Sequence, residues 1–587
     1  MKKFLSIMMV LAMLLAMSTA VFAAEEPDTS DSTTIVINPP VGNTANRTYV
    51  AYRLLNLSVS HKDPGHDYKC PYETEGKPHV DECYNYNYTI PEGSPFLEIL
   101  QEEVWYHTDD SFWTALKITR PDQANITVVQ ILTYLSGLIG DQGSNYSTLR
   151  KTADRIYRSI QDADNPEAFA DYKIEMSTGN NLNIQKGYWM IVETTSGLTD
   201  NAKTVVLLTT NAMDEITVTP KVDLPVVEKK VKDTDDSDNA TMTDHQWQDA
   251  ADHDIGDAIP FKLTATLPSN MDSFESYKLV FHDTMERGLK LIEGSIKVYV
   301  YTNKVVADAD SNMDNSISNG TPVYPSASGN DAIFDLNIAP THAEGNACSF
   351  EFTIEDAKKI PNLVGGYAVG GNAIVITYEA QLTEDAVLGN DGNANSVYLE
   401  YYNDPYDSNT TGKTETDTVK VFTYGLTINK VDNHDHPLKG AGFKLYKFSA
   451  KEENPEYVLV GEELMLDENG ENMTQFVWKG LDDGDYKLVE STVPKGYNAM
   501  EDITFTIQAT HTIVSATTPT LSAVNCVVMG DANDEGMIVK KIVNHTGTVL
   551  PETGAEGTFF LLAGGTLLVI VAAVFMITRK KMSIYED

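Results

Sequence analysis

Apolar and polar residues along this chain mostly alternate in short runs broken by Gly, Asn, Asp and Pro, the period of half-buried β-strands. Helical spacing is confined to residues 126–138 and 148–162, both in the first third. The pattern predicts an all-β fold of tandem immunoglobulin-like sandwiches, with a helical insertion in the first. The first sandwich opens with strands over 34–38 and 48–55 and has a late strand over 188–194; the second runs from 225–231 to 397–403, and the third from 424–431 to 537–544. Domain boundaries therefore fall at 25–222, 223–423 and 424–546. Each closing strand ends within a few residues of the next opening strand, and connectors that short limit bending. Two unbroken apolar runs, 4–17 and 558–578, stand outside this scheme.

Strand side chains alternate between two faces, and here the alternation puts charged groups among apolar ones. In the second domain Val227, Lys229 and Val231 share a face. So do Leu279, Phe281 and Asp283, and likewise Val397, Leu399, Tyr401 and Asn403. The third domain repeats the set with Leu426, Ile428 and Lys430, with Tyr486, Leu488 and Glu490, and with Asn544 beside Ile542, where Lys540 on the same face blurs the alternation. An unpaired ammonium on a core face is costly. One arrangement that satisfies it is a buried ion pair hydrogen-bonded to an amide. The other is chemical. Desolvation lowers a Lys pKa and raises a carboxylic acid's, so the pair can exchange a proton. The neutral amine then attacks the Asn carboxamide, and ammonia leaves behind an isopeptide bond made once.

Composition narrows the function. With 85 acidic against 43 basic residues, a net charge of −42, the chain repels nucleic acid and anionic lipid. Four cysteines are too few for a disulfide scaffold in 587 residues. Cys70 and Cys83 are close enough to bridge, whereas Cys348 and Cys526 read as single residues in separate domains. His61, His66, Cys70 and Cys83 fit no standard zinc spacing. Asp308, Asp310, Asn312 and Asp314 alternate as in a calcium loop, but Met313 replaces the turn glycine and Asn319 the bidentate Glu, so 308–319 reads as a solvated loop. With no cofactor loop, metal motif or credible triad, the expectation is no cofactor, no metal and no turnover enzyme.

The two ends set the compartment. Lys2, Lys3, the first apolar run and the small residues Ala20, Ala23 and Ala24 make residues 1–24 a secretory signal peptide. At the far end, Leu550, Pro551, Glu552, Thr553 and Gly554 precede an apolar run long enough to cross a bilayer once. Arg579, Lys580 and Lys581 follow and hold its end in the cytoplasm. Residues 547–587 thus form one processing unit, and they resemble the LPXTG sorting signal of Gram-positive surface proteins. That resemblance implies a sortase cutting between Thr553 and Gly554 and joining the Thr553 carbonyl to an amine. YKLVESTVPKGY (486–497) resembles the YxLxETxAPxGY element of Gram-positive pilins with collagen-adhesin (Cna) B-type domains, departing at Ser491 and Val493. VYLEYYNDP (397–405) resembles the ending of their middle domains, and FHDTMERGL (281–289) the segment that carries the catalytic Asp.

The family so indicated is that of major (backbone) pilin subunits. It implies a Lys229–Asn403 bond catalysed by Asp283, with Lys230 competing for the role of Lys229, and a Lys430–Asn544 bond catalysed by Glu490. In the first domain GYWMIVET (187–194) puts Glu193 in the acid position, yet TTIVIN (33–38) offers no lysine, so no bond is expected there. TPKV (219–222) resembles the YPKN pilin motif, with Lys221 on the outward face of its strand as the amine that receives the next subunit. The partners implied are a sortase, other copies in a head-to-tail polymer, minor pilins and peptidoglycan; no host ligand is named by the sequence. The alternative is a singly anchored adhesin or minor pilin in which Lys221 is an ordinary surface residue.

Overall fold

A computed structural model describes residues 32–582 except 41–45, 62–83, 140–147, 199–200, 205–206, 211–214, 221, 223, 234–246, 269, 303, 310–319, 326–330, 340–347, 361–362, 364–371, 451–455, 516 and 548–555. The chain divides into two compact units at Thr423/Tyr424; the segment Thr510–Ser522 belongs with the first.

The first unit contains both sandwiches expected before residue 423. In its N-terminal sandwich, Ser32–Ile37 lies between Asn181–Gln185 and the parallel strand Glu215–Val218. The facing sheet orders Tyr84–Thr89, Thr48–His61, Gly187–Glu193 and Leu207–Thr210, with Lys173–Ser177 also on Thr48–His61. Gly187–Glu193 is buried on both faces because it serves two cores. Trp189 and Ile191 pack with Ile35, Ile37 and Tyr49 between the sheets. Met190 and Val192 pack with Phe96, Leu100, Ile131 and Ile156 under the helical insertion.

That insertion holds the two expected helices, at Val128–Ser136 and Thr148–Gln161. The first is started by a capping box between Thr127 and Gln130. Two further helices, Phe96–His107 and Asp110–Ala115, were not foreseen. Polar residues on the buried face of Phe96–His107 hide its period. Gln101 Nε2 donates to the carbonyls of Ala124 and Ile126, and Glu103 accepts from Tyr134, Thr152 and Arg155.

The middle sandwich faces two seven-stranded sheets across one apolar core that includes Phe261, Leu263, Phe281, Ile376, Val397 and Leu399. One sheet pairs the opening strand Val226–Lys232 with Ala258–Thr266, which pairs with Ala373–Leu382. In the other, Leu279–Met285 pairs with Asn393–Tyr402, and that strand with Asp417–Phe422. The expected closing strand is thus the penultimate long one; Asp417–Phe422 ends the sandwich.

A polar joint fastens the two sandwiches of this unit together. Arg158 Nη2 donates to the carbonyl oxygens of Ser273 (2.6 Å) and Pro405 (3.1 Å), Lys203 pairs with Asp404 at 2.6 Å, and the Tyr406 hydroxyl donates to Asp154. Tyr157 and Tyr406 meet edge to face.

In the second unit the first strand, Tyr424–Val431, is flanked by Gln475–Leu481 and, in parallel, by the last strand, Met537–Val543. The opposite sheet orders Glu456–Leu464, Gly442–Ser449, Gly484–Thr492, Ile503–His511 and Leu521–Asn525. The last element among the described residues is the helix Glu556–Met582, whose stretch Leu561–Arg579 has a mean hydropathy of 2.5 and exposes apolar side chains all round. A helix of that length and composition suits lipid.

Candidate cross-link sites

In the middle sandwich Lys229 is completely buried, held by its strand pairing opposite Leu263. Its Nζ donates to Asp283 Oδ2 (2.5 Å) and to Asn395 Oδ1 (2.5 Å), both on the opposing sheet. Phe261 and Tyr378 wall the ammonium at 5.7 and 5.5 Å from their ring centroids, and Asp283 and Asn395 are as inaccessible as the lysine. Burial pushes the Lys229 amine down to about 8 against the attraction of Asp283, and burial likewise raises the Asp283 carboxyl. Both partners move toward the neutral form that makes an amine nucleophilic.

The expected partner of Lys229 is corrected here: the amide against Lys229 is Asn395, not Asn403. Asn395 lies in the strand Asn393–Tyr402 and Asn403 continues the same alternation just past its end, so alternation cannot separate them. Pairing register does. Asp283 stands opposite Val397, two residues from Asn395 and six from Asn403. Asn403 lies eight residues beyond Asn395, roughly 25 Å along an extended chain. Its Nδ2 instead donates to the carbonyls of Leu198 (2.7 Å), Asn201 (3.1 Å) and Thr411 (3.0 Å), so it belongs to the joint between the two sandwiches. Lys230 turns to the other face, where it pairs with Asp249.

In the second unit Lys430 and Asn544 are both buried at the ends of the paired first and last strands. Asn544 Nδ2 donates to Glu490 Oε1 at 2.7 Å, while Glu490 Oε2 accepts from the Met500 amide at 3.0 Å. Lys430 Nζ donates to the carbonyls of Val431 (3.1 Å) and Ile542 (3.5 Å). Burial lowers its pKa, opposed by the charges of Glu490 and Asp432. Lys540, which blurred the alternation beside Asn544, reaches instead to the Val528 carbonyl at 2.7 Å.

The N-terminal sandwich fills the corresponding place differently. Glu193 receives both of its oxygens' bonds from Arg47 Nη1, at 2.8 and 3.0 Å, and one more from the Thr204 amide at 2.7 Å. Arg47 is wholly buried. A guanidinium stays protonated and is no nucleophile, so this cluster is an ion pair by chemistry. Sequence reading missed Arg47 because it stands just before its strand, outside any alternating run.

Lys221, Leu550, Pro551, Glu552, Thr553 and Gly554, Cys70 and Cys83, residues 310–319 and the signal peptide lie outside the described residues. Beside Lys221, Ile216 and Pro220 are buried and Thr217 and Thr219 exposed. Cys348 and Cys526 are free and buried.

Residues 424–520 match the SpaA prealbumin-like fold domain, and residues 542–583 the LPXTG cell wall anchor motif. The trypsin-resistant surface T6 protein of Streptococcus pyogenes serotype M6 is 25% identical over 314 residues, covering 51% of this chain. The chain spans about half, 48%, of that relative's length. Among solved structures, the T6 backbone pilin of S. pyogenes superposes with a TM-score of 0.44 at 15% identity, over 89% of this chain and 100% of that one. The major pilin SpaD of Corynebacterium diphtheriae gives 0.38 at 13%, over 90% and 99%.

Proposed function

From a chain that ends in a cell wall anchor, we propose the backbone subunit of a sortase-assembled surface pilus, polymerised head to tail through Lys221 and Thr553. Two intramolecular isopeptide bonds, Lys229–Asn395 and Lys430–Asn544, staple it. The observation that carries this reading is the sealed cluster of Lys229, Asp283 and Asn395: an amine, a proton carrier and a carboxamide in contact, in a protein whose class must bear tension. In each site the amine adds to the Asn carbonyl carbon, the acid moves the proton, and ammonia departs. At Lys229, where amine and carboxamide already touch, fixed contact supplies an effective molarity of order 10⁵ M or more; each bond forms once, without turnover.

The placement supports a mechanical role. Lys430 and Asn544 stand on the first and last strands of the second unit, so tension entering at one end crosses the bond and bypasses the fold between. Lys229–Asn395 joins the two sheets of the middle sandwich; closing a loop of that size is worth about 5 kcal/mol by analogy with disulfides. The relative's name describes a trypsin-resistant surface protein, and a sandwich that cannot open presents few cleavable segments. A sortase, minor pilins and peptidoglycan are the partners of this reading, which requires no cofactor.

The test is a denaturing gel of wall extracts from the native host, comparing wild type with Lys221→Ala and Thr553→Ala. We expect a ladder of heat-resistant multimers that collapses to monomer in both variants. A single wall-linked band in wild type would instead make this an individually anchored adhesin.

A further inference from the structure

The Lys229 site contains a fourth polar group that attack of the amine on the carboxamide, with one acid, does not by itself require. The Tyr378 hydroxyl, on Ala373–Leu382, donates to Asp283 Oδ2 at 2.9 Å and accepts from Asn395 Nδ2 at 2.9 Å. It therefore links the acid to the one nitrogen that must leave. Its ring is fixed by stacking on Phe261, centroids 5.3 Å apart at 15°, and by edge contact with Phe350 at 5.1 Å, so the oxygen is held between the two groups while its proton is free to turn to either.

We propose that Tyr378 is a catalytic proton relay for the Lys229–Asn395 bond, passing a proton from Asp283 to Asn395 Nδ2 so that the nitrogen leaves as ammonia. This rests on the isopeptide reading above. Asp283 enters protonated and Lys229 as the free amine. The Nζ–Cγ bond forms, and Nδ2, no longer conjugated with the carbonyl, gains a basic lone pair. The Tyr378 hydroxyl rotates from Asp283 to that lone pair, reversing both resting bonds, and Asp283 gives its proton to the Tyr378 oxygen as the hydroxyl proton moves to Nδ2. The Cγ–Nδ2 bond breaks with its electron pair on nitrogen, and ammonia departs. The surplus proton on Nζ returns to Asp283, which ends as it began, and Tyr378 is unchanged.

The two hydrogen bonds also set Asn395 in the productive sense. With Nδ2 committed to Tyr378, Oδ1 is turned to Lys229 Nζ, which holds the carbonyl group against the amine that attacks it. The relay must be concerted, because burial and the neighbouring carboxylate hold the Tyr378 hydroxyl far above its ordinary pKa and no tyrosinate can accumulate. The second unit lacks this device: there the acid, Glu490, bonds Asn544 Nδ2 directly at 2.7 Å. The hydroxyl bridges a gap in one site that the longer glutamate closes in the other.

The experiment uses the full chain made in a host without sortase, with the Lys229–Asn395 cross-linked peptide quantified by mass spectrometry against time. Wild type, Asp283→Ala and Tyr378→Phe are compared; Phe keeps the ring stack and removes only the hydroxyl. We expect wild type to be linked on isolation, Asp283→Ala to remain unlinked, and Tyr378→Phe to mature about 100-fold more slowly or worse, the typical contribution of a positioned proton donor. The relay also predicts a solvent deuterium isotope effect on maturation in D₂O, which a purely packing role would not produce. Equal melting temperatures for Lys229→Ala with and without Tyr378→Phe would show that the fold tolerates the change. Absence of the linked peptide from wild type would overturn the bond itself. Rapid linkage in Tyr378→Phe, with the bond present in wild type, would overturn only the relay.

Discussion

At the scale of single residues, the middle site turns on which of two same-face asparagines meets the lysine. Asn395→Ala should remove the Lys229 cross-linked peptide, and Asn403→Ala should leave it intact, as read by peptide mapping. The Asn403 change should still weaken the protein, because two carbonyls across the joint, of Leu198 and Asn201, and that of Thr411 within the middle sandwich lose their donor. About 1 kcal/mol per lost bond is expected in a thermal or denaturant melt. Lys229, Asp283, Lys430, Glu490 and Asn544 were legible because a charge or amide interrupts an apolar alternation, which burial makes costly unless the group has a use. Tyr378 and Asn395 were not. Tyr378 shares an apolar face with Ile374, Ile376, Ala380 and Leu382, so nothing marks it among them, and Asn393, Asn395 and Asn403 satisfy the same period equally.

At the scale of elements, the helical insertion is pinned by Glu103, which gathers Tyr134, Thr152 and Arg155 from two other helices. Glu103→Ala strands a partly buried guanidinium and two hydroxyls, and should destabilise the first unit by roughly 3 kcal/mol in a denaturant titration. Glu103→Gln should cost less, since it keeps an acceptor. The same buried carboxylate explains why the helix Phe96–His107 escaped the sequence pattern: a polar residue facing inward counts against the period that identifies a helix. Val128–Ser136 and Thr148–Gln161, which keep apolar residues at helical spacing on the buried side, were found within two residues.

At the scale of the molecule, the joint between the first two sandwiches carries a titration. Burial raises the Asp154 carboxyl to about 7, against the lowering by its bond from Tyr406 and the charges of Arg158 and Arg155. An unfolded Asp titrates near 3.9. Between about pH 4 and pH 7 the folded state therefore binds more protons than the unfolded one, and stability falls as pH rises through that window, then levels off. The melting temperature of the first unit should follow that curve, and Asp154→Asn should flatten it.

What the sequence determined by itself was whatever periodicity and order along the chain encode: the β class, the boundary at 423/424, the sorting signal, and the acids and lysines forced into apolar strands. The tertiary structure decided what depends on register and on contacts between distant segments. It set Asn395 against Lys229, gave Asn403 to the joint, put Arg47 on Glu193 and brought Tyr378 to Asn395 Nδ2. The physical reason is that alternation repeats every two residues and is blind to shifts of an even number, whereas a reaction requires one atom at bonding distance.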